Sequence, residues 1–104
     1  MISQSALIAA IEPLTADALK RWLEEGFVLP RGNSDSSLFD TADVARVRLI
    51  CELHYELNIE EDSLSVVLSL LDQLYAARQA LRNLAAAVEA EPPEIRNRIV
   101  DRIP

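Results

Sequence analysis

Glu52, Glu56, Glu60, Glu61 and Asp62 form the strongest local run of negative charge in this chain, and only Arg48 lies close enough in sequence to offset it. Side chains four apart on a helix are neighbours, so Arg48, Glu52 and Glu56 share a face and can pair in part. Two readings fit such a cluster: a solvated helix end stabilised by the helix dipole, or a surface that attracts a basic partner. Acid–base catalysis fits poorly. Asp72 sits alone in an apolar helical run with no second acid beside it, and Arg78 or a neighbouring chain is its expected partner. His54, the only histidine, lies among apolar helical residues with no Ser or Cys arranged as a nucleophile. Cys51 is the only cysteine, which excludes an internal disulfide and a cysteine-based zinc site and leaves it as a small core hydrophobe. The sequence has neither a glycine-rich phosphate loop nor a cluster with metal-ligand spacing. It reads as a non-enzyme with no catalytic residue, no metal and no cofactor.

The element that must position these residues is the stretch Asp62 to Glu91, which contains no Gly or Pro and is stopped by Pro92 and Pro93. Leu64, Leu71 and Ala85 take one heptad position, Val67, Leu74, Leu81 and Val88 the other, and Leu68, Tyr75 and Leu84 widen the stripe. At 1.5 Å per residue such a helix is roughly 45 Å long, longer than a domain of this size is wide. Its N-terminal half, Leu64 to Leu74, is expected in the chain's own core. Leu74, Leu81, Leu84 and Val88 are expected to form a homodimer interface.

The rest of the chain supplies short helices. Ser3 is placed to cap a first helix with Leu7, Ile8 and Ile11 on one face, ended by Pro13. Thr15 opens a second, with Leu19, Trp22 and Leu23 on one face and Gly26 as C-cap. Phe27, Val28 and Leu29, the polar segment RGNSDSS, and Leu38 with Phe39 suggest a small hairpin, or wing. Asp40 caps a third helix whose expected core stripe is Val44, Val47, Ile50 or Cys51, His54 and Leu57. After Pro92-Pro93, Ile95, Ile99 and Ile103 with Arg96, Arg98 and Arg102 make a short amphipathic tail helix, or a segment disordered until it docks. The expectation is one mainly α domain over residues 1–104: a head at 1–60, a long packing and dimerisation helix at 61–91, and a tail at 92–104.

Composition narrows the function classes. Seventeen acidic residues against ten basic ones give a net charge of −7, which opposes nucleic acid and anionic membranes and suits a basic protein surface. The apolar run ALIAAI is cut short at Glu12 with no basic region before it, and no uninterrupted apolar run approaches a membrane span. A cytoplasmic protein is expected.

The order of helix, helix ending EEGFVLP, polar wing and FDTADVARVRLICEL resembles the winged-helix head of the MerR-like regulators. Further on, RLICELHYELNIEEDSLSVVLSLLDQLYAARQALRNL is similar to the chaperone-modulator family CbpM. The similarity is carried by Glu52-Leu53, Glu56-Leu57 and Leu70-Leu71-Asp72-Gln73-Leu74. It covers roughly residues 14 to 90, with Ser63 standing where relatives often have Gly. The resemblance implies a MerR-like winged-helix head of three short helices and a small wing, followed by one long helix. It also implies a partner, the J-domain of a DnaJ-like, curved-DNA-binding co-chaperone, whose basic helix the modulator would occupy in place of the acidic Hsp70 surface. Under that reading Glu52, Glu56, Glu60, Glu61 and Asp62 form the J-domain site. The alternative is a MerR-like transcriptional regulator that binds DNA through Lys20, Arg21 and Arg31. Against it, the second helix holds Trp22 where DNA-binding heads usually have an Arg-Tyr pair, and the wing has Asp35 and no cation after Arg31.

Overall fold

Each of the first three helices starts at a side chain that satisfies one of its own unpaired N–H groups. In the computed structural model, which describes residues 1–30 and 37–104, Ser3 accepts from the Ala6 N–H at 3.2 Å and opens α1 (Gln4–Ala10). Thr15 accepts from the Ala18 N–H at 3.1 Å and opens α2 (Ala16–Glu24). At α3 (Thr41–Cys51) the capping is reciprocal: the Asp43 N–H donates to Asp40 at 2.8 Å, and the Asp40 N–H donates to Asp43 at 3.1 Å. Such caps contribute about 1 kcal/mol each.

The end of α2 sets the path that follows. Gly26 has φ +76°, its N–H donates to the Leu23 carbonyl at 3.2 Å, and the Phe27 N–H reaches back to the Trp22 carbonyl at 2.9 Å. This pair of bonds around a left-handed residue is a Schellman motif, which glycine forms without strain. Phe27 and Val28 are then both buried while Leu29 is 80% exposed, so the segment does not alternate as a strand would. Its backbone is also taken: the Phe27 carbonyl accepts from the Arg46 Nε–H. The expected pairing of Phe27–Leu29 with Leu38 and Phe39 is therefore corrected. A two-stranded antiparallel sheet forms between β1 (Ile2–Ser3) and β2 (Leu38–Phe39), with Ile2 opposite Phe39. The wing loop itself, residues 31–36, lies outside the described residues.

The third helix changes pitch at its end. A π-helical turn, Glu52–Glu56, follows α3, with the Leu57 N–H bonded to the Glu52 carbonyl at 3.0 Å and the Ile59 N–H to the Leu53 carbonyl at 2.9 Å. The wider turn rotates the side chains after it. Leu53 is buried and Leu57 is 65% exposed, so the expected stripe holds at Val47, Ile50 and Cys51 but shifts beyond them. Asn58, at φ +57°, then reverses the chain.

The long helix forms as expected, as α4 (Glu61–Glu89), with Ser63 inside its first turn. It is followed by α5 (Pro93–Val100), which has Pro93 at its first position, where a missing N–H costs nothing. The residues pack as two compact units, Met1–Leu68 and Ser69–Pro104. The first holds the core: Trp22, Phe39, Leu7, Leu19, Ile50, Leu64, Val28 and Val47 are fully buried. From α4 only Leu64 and Leu68 join it. Leu71 is half-buried and Leu74 is 47% exposed, so burial stops short of the expected Leu74. Among the described residues no helix is long and apolar enough to cross a membrane.

Candidate functional site

The five carboxylates that are close in sequence do not share one surface feature. Glu52 and Glu56, on the π turn, line a shallow depression of about 180 Å³ together with Glu12 and Arg48, around Ile11, Pro13 and Cys51. Glu61 and Asp62, at the start of α4, line a different depression of about 400 Å³ with Glu24, Glu25, Phe27 and Arg21. Glu60 is exposed and lines neither. The fold thus splits the run in two and gives each part acidic neighbours that sequence reasoning missed. Glu12 stands just past the end of α1, and Glu24-Glu25 close α2. Only the tertiary fold brings them to the cluster. The doublet before Gly26 was the one available signal.

Glu61 is already engaged. Arg21, on α2, donates to it in a fork, Nε–H to Oε2 at 3.0 Å and Nη2–H to Oε1 at 2.7 Å. A bidentate guanidinium–carboxylate pair is the strong geometry for this bond. Arg21 holds the Glu61 carboxyl below its ordinary range, and the same bond raises the Arg21 guanidinium. The Trp22 indole N–H is fully buried without a hydrogen bond of normal geometry; it lies on the Glu61 side, close enough to help keep that carboxyl ionised.

His54 completes the surroundings. Its Nδ1 is 2.8 Å from the Ile59 carbonyl, which can only accept, so Nδ1 carries a proton and braces the turn before α4. Its Nε2 is 3.8 Å from Glu61 Oε1, and its ring meets Tyr55 edge-on at 4.8 Å between centroids. These are structural contacts. Cys51 is buried, and burial pushes its thiol pKa up, so it remains a protonated thiol. Among the described residues no group of His, Cys, Asp and Glu is placed to hold a metal ion.

The expected DNA face is sparsely cationic. Lys20 and Arg21 are exposed on α2, but Asp17, Glu24 and Glu25 are exposed on the same helix and its cap, and Arg21 is bonded to Glu61. Arg31 lies outside the described residues. On α4, Leu74, Leu81 and Leu84 are 47%, 66% and 62% exposed, and Val88 is half-buried.

Comparison with known families places this geometry. The model of the MerR HTH family of regulatory proteins matches residues 10–86. The chain belongs to this family. The match runs from the end of α1 through most of α4 and leaves the tail outside. No curated protein and no solved structure matches the chain. Membership in the MerR HTH family of regulatory proteins accounts for the helical head with its long helix. It does not reach the narrower resemblance to the chaperone modulators.

Proposed function

We propose that this MerR-family chain is a non-catalytic regulator that acts by binding protein rather than DNA. Its partner is the J-domain of a DnaJ-like, curved-DNA-binding co-chaperone, which it withholds from Hsp70. It works as a homodimer through the exposed stripe of α4, in the cytoplasm. The observation that carries this reading is the distribution of charge. The first unit, Met1–Leu68, the head together with the start of α4, has twelve acidic and five basic residues, whereas Ser69–Pro104 has five of each, so the whole net charge of −7 belongs to this head unit. A head of that sign repels a phosphate backbone and attracts a basic helix. The Glu52 and Glu56 carboxylates share a shallow depression with Glu12, three acceptors that the basic side chains of a partner helix would meet. Occupying that helix blocks its use without any chemical step.

The family match favours a second reading, a dimeric DNA-binding regulator that uses α2 in the major groove. One experiment separates the two. The full chain is titrated against the isolated J-domain and against duplex DNA, each at low and high salt. The partner reading expects J-domain binding that weakens with salt and is lost in Glu52→Lys/Glu56→Lys, which takes the head from −7 to −3. Unchanged binding by that variant sinks the acidic site. Duplex binding that needs Lys20 and Arg21 establishes the DNA reading instead.

A further inference from the structure

We infer that Glu61 is a specificity-determining residue of the head: its carboxylate occupies Arg21 as a phosphate would, and so turns polyanions away from α2. Arg21 is half-exposed at the surface of α2, where a guanidinium is well placed for a phosphate oxygen pair. The fork that would grip a phosphate is filled by the two Glu61 oxygens at 3.0 and 2.7 Å. Trp22, next to Arg21 in α2, is fully buried and anchors that turn of the helix to the core.

The position of Glu61 makes the bond persistent. It lies in the first turn of α4, next to the π turn and the left-handed Asn58, where the helix dipole favours a negative side chain. Leu64, three residues on, is fully buried and pins that turn to the core. With Arg21 held, Lys20 is the one described cation of α2 outside an ion pair, and Asp17, Glu24 and Glu25 outnumber it. The head therefore keeps a helix-turn-helix shape while the arginine of its second helix is answered from within. This rests on the protein-binding reading in one respect: it explains why a head of this family would not take DNA.

The test is non-specific binding of the full chain to a fluorescein-labelled random-sequence duplex, across a salt series. Four proteins are compared: wild type, Glu61→Gln, Asp62→Asn and Arg21→Ala/Glu61→Gln, each first checked for native unfolding behaviour. Asp62→Asn removes one negative charge from the same helix end without touching Arg21, and so reports the effect of net charge alone. Glu61→Gln is expected to bind about tenfold more tightly than Asp62→Asn at low salt, with a salt slope steeper by about one counterion. The Arg21→Ala/Glu61→Gln protein should return to the Asp62→Asn level. Equal binding by Glu61→Gln and Asp62→Asn overturns the inference, as does a gain that survives loss of Arg21. Tight wild-type binding that depends on Lys20 and Arg21 would instead overturn the protein-binding reading.

Discussion

Leu81→Ala separates a helix that serves its own core from one that serves a second copy. The change removes three carbon groups, each contributing about 0.8 kcal/mol when moved fully out of water, or about 2.4 kcal/mol in all. Leu81 keeps 66% of its surface exposed in the single chain, so about 1.6 kcal/mol of that remains to be gained on association. A symmetric dimer contains the residue twice, which brings the loss to about 3 kcal/mol, or about two orders of magnitude in the dissociation constant. Sedimentation equilibrium over a wide concentration range reads that constant, and denaturant unfolding at fixed concentration reads the stability of the head. The expected result is a dimer weakened about a hundredfold with the head's folding intact. A wild-type chain that is monomeric throughout, or a variant that dimerises as tightly as wild type, refutes the assignment of Leu74, Leu81, Leu84 and Val88 as an interface.

Other substitutions probe the head itself. Leu64→Ala should lower its unfolding free energy by about 2–5 kcal/mol in urea titration, because Leu64 is fully buried and its neighbours cannot collapse completely into the space. Gly26→Ala should cost about 1 kcal/mol by the same measurement. The space around a new Cβ is open, so that loss comes from the backbone at φ +76° alone. Acid unfolding should show the Arg21–Glu61 pair. The Glu61 carboxyl titrates lower folded than unfolded, so its contribution is present above the ordinary carboxylate range and is lost as pH falls through the depressed value. Glu61→Gln should flatten stability in that acid window, and an unchanged acid limb would show the pair to be energetically silent.

What could be read from the sequence followed from how local its physical cause was. Ser3, Thr15 and Asp40 cap helices because each needs only its own next three residues, and Gly26 closes α2 for the same reason. Pro92-Pro93 ends the long helix by chain chemistry alone. The misreadings came where segments distant in sequence had to choose each other, and at one local change of helical pitch. Leu38 and Phe39 pair with Ile2 and Ser3, whose two residues carry no strand signal of their own. Leu57 left the core because a π turn intervened, and a pitch change of one residue is invisible to a 3.6-residue template. The acidic run was legible as charge but not as surface. Glu61 is taken by an arginine forty residues earlier, and Glu12 joins Glu52 and Glu56 only in the folded head.

That division bears on which carboxylates are available to a partner. A charge already met by a bidentate guanidinium offers little to a second cation, since the incoming group must displace a bond of ideal geometry before it gains one. Glu61 is in that position. Asp62, Glu24 and Glu25 are not, and they line the same depression as the Arg21–Glu61 pair. Around Glu52 and Glu56, three carboxylates face one cation, Arg48, beside Ile11, Pro13 and Cys51. Attraction at long range depends on the head's net charge, and both depressions share in it. Binding at contact depends on acceptors outside a bidentate pair, and among the described residues Glu12, Glu52 and Glu56 are such acceptors. Under the proposed function, a basic helix seated there would leave the Arg21–Glu61 pair intact, because Glu61 and Arg21 line the other depression.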